Sequence, residues 1–219
     1  VINFVPRCLL LTSLTSKKSL HQRSTFFCHE ASQNLCFGME WITFLGIYLM
    51  TIFDIFSTPN NFPNFAPKGN IVAMVPTGTG LMILATKNVE IFKNKIINNQ
   101  SVGTAIISYY STSKPFKDKQ YDPYPSAISI HNNIYKRKTG LPVSKDMLSS
   151  VVAKSFGENV PHIIYDGVKN PKLLDAQGDW TPGQCISIVK NKNQSIANLD
   201  VEHGFKSIGL YNDSFNCSQ

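Results

Sequence analysis

The apolar positions of this chain fall into a phrase that occurs twice. Val89-Glu-Ile91-Phe-Lys-Asn94-Lys-Ile96 and Ile128-Ser-Ile130-His-Asn-Asn133-Ile-Tyr135 both read apolar-x-apolar-x-x-Asn-x-apolar, 39 residues apart. A second pair lies closer: Gly80-Leu-Met-Ile-Leu84 recurs 23 residues later as Gly103-Thr-Ala-Ile-Ile107. The difference of 16 residues falls between Tyr109 and Pro125, a stretch holding Lys114-Pro-Phe-Lys117-Asp118-Lys119 and Tyr121-Asp122-Pro-Tyr124-Pro125. The pattern therefore predicts a coil of about 23 residues, repeated, with a surface loop inserted between two of its strands. A unit that thin cannot bury its own apolar face and must lie on a neighbour.

Within such a coil, short alternating strands send Val89, Ile91 and Ile96 inward. Asn94 and Asn133 hold equivalent places after the apolar pair, where Asn takes left-handed backbone angles and bonds neighbouring peptides. In successive coils these two are expected to stack as an amide ladder. The plainer reading is that Asn is merely frequent in this chain.

Beyond Tyr135 the phrase dissolves. Ser144 to Phe156 places Met147, Leu148, Val151, Val152 and Phe156 at helical spacing, with Ser144 as the cap and Gly157 as the stop. This predicts a helix against the stack or over its end. Val160 to Gly167 reads as strand and turn, and Cys185-Ile-Ser-Ile-Val189 as a further strand. The fold class expected is all-β: a truncated right-handed parallel β-helix with a helix-containing C-terminal cap.

Composition breaks near Pro59. Residues 1–58 hold two Asn and two Gly, whereas 59–219 hold 17 Asn and 11 Gly. No coil phrase is visible in the first segment, which opens on Val1 and so reads as part of a fragment. Its uncharged run from Trp41 to Phe53 is too short for a membrane helix, which needs about 20 residues. A core helix, an interfacial segment or a signal-peptide core starting at Met39 remain as readings. The expected organisation is an unassigned 1–58, frame-shifted or poorly ordered, followed by a β-helix with its cap over 59–219.

The charge of +7 places 17 basic against 11 acidic residues in 59–219, with Arg137 the single arginine there. Nucleic-acid readers concentrate Arg and Lys on one face among stacking aromatics. These lysines are scattered, so no nucleic-acid partner is expected, and an acidic polysaccharide is the more natural polyanion. The cysteines contain no C-x-x-C, and no metal or cofactor site is expected. Cys185 and Cys217 are either free thiols or, in an exported protein, a disulfide pinning the chain end.

Several phrases in order carry a resemblance: Asn64-Phe-Ala-Pro67-Lys-Gly69-Asn70, Pro76-Thr-Gly-Thr-Gly80, Tyr121-Asp-Pro-Tyr-Pro125, Tyr165-Asp-Gly167, Cys185-Ile-Ser-Ile, Ala197-Asn-Leu-Asp200 and Gly204-Phe-Lys. Over residues 59–219 the chain resembles exported bacterial proteins with parallel β-helix repeats, in the wider pectin-lyase-like superfamily. The resemblance implies a right-handed parallel β-helix and export to the periplasm, outer membrane or exterior, often as a lipoprotein. It supplies no activity and no catalytic residues. Because such proteins have further coils upstream, it also implies that 59–219 is a C-terminal half behind a shifted reading frame or an unrelated sequence, its first coil uncapped and aggregation-prone.

Two functions follow as expectations. One is a non-catalytic module binding a glycan or a cell-envelope protein along its flank. The other is a lyase or hydrolase acting on an acidic glycan, which needs a neutralising cation with a base, or paired carboxylates. The candidate residues are Asp118, Lys119, Asp122, His131 and Arg137, with Tyr121 and Tyr124 in the same loop. His131 alternates with Ile130 and should face outward, towards any groove the loop makes.

Overall fold

The computed structural model describes residues 8–13, 23–26, 41–44, 47–57, 59–67, 69–116, 118–189 and 193–211. It is mostly β, with parallel strands in three sheets and one α-helix among the described residues. The chain visits the sheets in rotation. The second coil is β6 (Thr79–Leu84), β7 (Lys87–Phe92) and β8 (Lys95–Ile97), and the third is β9 (Val102–Ile107), β10 (Ser126–His131) and β11 (Ile134–Lys136). Each strand pairs in parallel with its counterpart. The registers match the repeats read from sequence: Ile83 lies on Ile106, Ile91 on Ile130, and Ile96 on Tyr135.

Stacking does not begin at Pro59. In the coil before it, β1 (Cys8–Ser13) pairs with β6, β4 (Ile47–Phe53) with β7, and β5 (Phe56–Ser57) with β8. Met50 and Ile52 sit on Val89 and Ile91. The apolar run from Trp41 to Phe53, expected as a helix, an interfacial segment or a signal core, contains two strands, β3 (Trp41–Phe44) and β4, that pair antiparallel. Another antiparallel strand, β2 (Arg23–Phe26), pairs with β1. The first coil is thus flanked by two antiparallel strands, which occupy edges that would otherwise invite association.

Nor does the pattern end at Tyr135. Strands β12 (Ile163–Tyr165) and β14 (Ile196–Asn198) extend the first sheet beyond β9, and β13 (Ile186–Ile188) extends the second beyond β10. The antiparallel β15 (Gly209–Tyr211) closes the first sheet on β14.

The two 39-residue spacings have different origins. Between the second and third coils the extra 16 residues lie in 108–125, joining β9 to β10, as the sequence indicates. Between the first and second coils, where Met50 lies on Val89, they lie in 58–78, joining β5 to β6.

Burial explains the two kinds of hydrophobic pattern. In β7 and β10 buried and half-buried residues alternate, because one face meets the interior and the other is open. In β6 and β9 every residue is buried. Their inward side chains, such as Ile83 and Ile106, join Ile91, Ile130 and Ile188 in a core inside the stack. Their outward ones, such as Met82, Leu84 and Ile107, form a second core beneath Leu148, Val152 and Phe156 of α1 (Met147–Phe156). The helix therefore lies on the flank and not over the end. Asp146 caps it, accepting from the Ser149 N–H at 3.0 Å and the Ser149 hydroxyl at 2.8 Å, where Ser144 was expected. Gly157 ends it at φ 57°.

The amide ladder is present. Asn133 Oδ1 accepts from Asn94 Nδ2 at 3.0 Å and from the Asn94 N–H at 2.9 Å, and Asn94 Oδ1 accepts from the Ile55 N–H at 2.9 Å. The same amides donate to the Ile52 and Ile91 carbonyls. Left-handed backbone falls one residue earlier than expected, at Asp54, Lys93 and Asn132, with φ between 53° and 56°. At the opposite corner Gly80 lies on Gly103, and a Cβ on Gly103 would meet the His162 carbonyl oxygen at 2.6 Å. Only the smallest side chain fits there.

Candidate functional site

The insert 108–125 leaves the stack at the corner between the first and second sheets. Its root is fixed by Asp166, a fully buried carboxylate just after β12. Asp166 Oδ2 accepts from the Ser108 N–H and the Ser111 hydroxyl, both at 2.7 Å, and Oδ1 accepts from the Val168 N–H at 3.1 Å. Burial raises the Asp166 pKa against these hydrogen bonds, which lower it. The Tyr109 N–H closes the base of the loop on the Pro123 carbonyl at 2.8 Å.

Above that root the aromatic side chains gather. Tyr109 makes edge contacts with Phe116 and Tyr121 at centroid separations of 5.7 and 5.3 Å, and Tyr110 approaches Tyr124 at 5.2 Å. Tyr110 remains 48% exposed and Phe116 37%. Such contacts let exposed rings keep one orientation.

Asp122 joins this cluster to the second sheet. Its Oδ1 accepts from the Tyr124 N–H at 3.1 Å, and its Oδ2 is 2.5 Å from Lys87 Nζ at the start of β7. Asn170 Nδ2 lies 3.4 Å from the same carboxylate. Burial, a hydrogen bond with Tyr110 and the nearby Asp122 carboxylate push the Tyr124 hydroxyl up to about 12. Tyr121 is pushed higher, mainly by burial and then by Tyr109 and Asp122. Both phenols stay protonated across the physiological range, so they are hydrogen-bond donors and poor proton acceptors.

The other candidates are dispersed. Asp118 holds an exposed turn, accepting from the Gln120 N–H at 2.8 Å, and Lys119 lies exposed within it. His131 is half-buried on the outer face of the second sheet. It stacks on Phe92, which stacks on Phe53, and its Nε2 is 2.9 Å from Glu90 Oε1. It lies on the outer face as expected, yet at the end of β10 far from the loop. Lys87 is in register with Ser126 and Phe92 with His131, so five strand positions, roughly 16 Å, separate His131 from the Lys87–Asp122 pair.

Arg137 lies at the far corner, past β11. Its guanidinium donates to the carbonyls of Gln100, Lys138, Gly140 and Glu158, knitting three segments together. Among the described residues, no three His, Cys, Asp or Glu side chains converge so as to hold a metal ion.

Lys87, Tyr110, Phe116 and Asn170 belong to the site and were not singled out from sequence. The adjacent Tyr109-Tyr110 at the mouth of the insert was the available signal. Lys87 and Asn170 come to Asp122 only through coil register and the chain's return after β12. Cys185 is disulfide-bonded, while Cys217, its expected partner, lies outside the described residues. No helix of the described residues is long and apolar enough to cross a membrane. No family model, curated protein or solved structure matches this chain.

Proposed function

We propose that the chain is part of an exported right-handed parallel β-helix that binds an acidic polysaccharide across the aromatic rim of its insert, without cleaving it. The observation that carries this reading is the contiguous surface of Tyr110, Phe116 and Tyr124 beside the Lys87–Asp122–Asn170 group. Fixed rings offer apolar faces to sugar C–H groups, and the polar group offers donors and acceptors to hydroxyls. The insert also carries Lys114, Lys117 and Lys119, which suit carboxylate-bearing sugars. Right-handedness is the rule for crossovers between parallel strands of one sheet. The disulfide at Cys185 supports an oxidising compartment.

A lyase is the second reading, favoured by the nearness of tyrosine hydroxyls to a lysine–carboxylate pair. The raised phenol pKa values weigh against it, since a proton-abstracting base works best near the operating pH.

Affinity electrophoresis through polygalacturonate, alginate and a neutral glucan separates these readings. Retardation by the acidic polymers alone is expected, weakened by salt and abolished in a Tyr110→Ala, Phe116→Ala double variant. Unretarded migration, or retardation indifferent to the double substitution, would refute the binding surface. Ultraviolet-absorbing unsaturated product that disappears in Tyr124→Phe would make the chain a lyase.

A further inference from the structure

A cavity of about 440 Å³ lies in the second core, bordered by Ser111 to Ser113 of the insert but by none of Tyr110, Phe116 and Tyr124. Its floor is the outer face of the first sheet at Met82, Leu84 and Ile107, and its roof comes from Met74, Met147 and Phe205. The volume falls within the range of about 300–1,000 Å³ that holds small molecules. The cavity opens to solvent beside Met147, which is 56% exposed, and an apolar guest that displaces water from its mostly apolar lining is favoured by the hydrophobic effect. Three methionines give the wall unbranched, polarisable side chains that adapt to an irregular guest.

The polar part of the lining is one-sided in charge. Asp146 and Asp166 border the cavity together with hydroxyl residues such as Ser111, Thr112 and Ser144, and among the described residues no Lys, Arg or His lines it. A guest carboxylate or phosphate would meet two acidic residues and no cation. Asp166 is fully buried and its carboxylate is already held by Ser108, Ser111 and Val168, whereas the half-buried Asp146 accepts two hydrogen bonds, both from Ser149, among about four lone-pair positions. Acceptor positions on Asp146 are thereby left for a guest that brings a hydrogen.

We propose that this cavity is a binding site for a small, predominantly apolar molecule carrying a hydrogen-bond donor, an alcohol or amine, and that it rejects apolar anions. The site is separate from the glycan surface, and its test does not depend on polysaccharide binding.

The full chain is titrated with the uncharged fluorophore N-phenyl-1-naphthylamine, followed by displacement with decanol, decylamine and decanoate at neutral pH. Saturable uptake at one site is expected, with decanol and decylamine displacing the probe at concentrations at least tenfold below decanoate. Ala73→Phe and Val201→Phe each add bulk at the cavity wall and should reduce uptake at least tenfold while the folded circular dichroism is kept. Absence of saturable uptake by the unaltered chain overturns the proposal. Equal displacement by decanoate, or uptake unchanged in both folded variants, does so as well. Should either variant fail to fold, the displacement series on the unaltered chain still decides.

Discussion

The residue whose loss the stack would feel most directly is Asn94. Its side chain accepts from the Ile55 N–H and donates to the Ile52 carbonyl and to Asn133 Oδ1, all in buried surroundings. Asn94→Ala strands a backbone donor and a backbone acceptor at about 1–3 kcal/mol each, so we expect ~3 kcal/mol of destabilisation, read as a lowered denaturation midpoint at unchanged slope. His162 sets a pH dependence. Its Nδ1 accepts from the Ser195 N–H at 3.2 Å, which requires the neutral ring, and burial followed by the Arg137 charge lowers its pKa from 6.5. A depressed folded pKa means the stabilisation is complete above 6.5 and is lost as pH falls through the folded value. The melting temperature should accordingly drop on acidification below neutrality, and His162→Asn should remove the His162 share of that slope. The ladder was legible because Asn recurs at a fixed distance from two apolar residues. The left-handed position was not, because Asp54, Lys93 and Asn132 share no residue type. The Lys87–Asp122 pair was hidden for another reason, since 35 residues separate its members and only strand register closes the gap.

The helix start makes a discriminating case among the elements. Asp146→Ala should cost about 1 kcal/mol through the lost cap, while Ser144→Ala should leave the thermal midpoint within error. The reverse order would show that the helix begins earlier. Periodicity revealed the helix itself because Leu148, Val152 and Phe156 share one face, but Ser144 and Asp146 are both acceptable caps and spacing alone does not choose between them. Strand runs were harder to assign. The continuous run Gly80–Leu84 and the alternating run Lys87–Phe92 differ because a covering layer buries the first sheet on both faces. In Met50-Thr-Ile52-Phe-Asp-Ile55 the phrase was present but lacked its Asn, since Ile55 stands where Asn94 and Asn133 stand in later coils. Without that marker the stretch merged with Trp41–Phe44 into one apolar run.

For the molecule as a whole, stacking makes stability a nearest-neighbour property. Ile91, Ile106 and Ile130 have coils on both sides, whereas among the described residues β14 is followed only by the short antiparallel β15. Amide hydrogen exchange should therefore be slowest in β6, β7, β9 and β10 and fastest near β14 and β15. Uniform protection across all strands would point to a single cooperative unit. The overall stack was legible from the two repeats, while its extent was not, because β12, β13 and β14 are three-residue strands that leave no room for a periodic signal. The 16 extra residues that enter at one corner before β6 and at another before β10 leave the strand register untouched. Corner length is thus a free parameter in this architecture, and the strands act as a ruler against which a loop can be moved. Transplanting 108–125 to the Ala85-Thr86 corner would carry the aromatic rim one graduation along the axis, about 4.8 Å. A binding surface here can travel stepwise along its scaffold without any side chain inside the stack being altered.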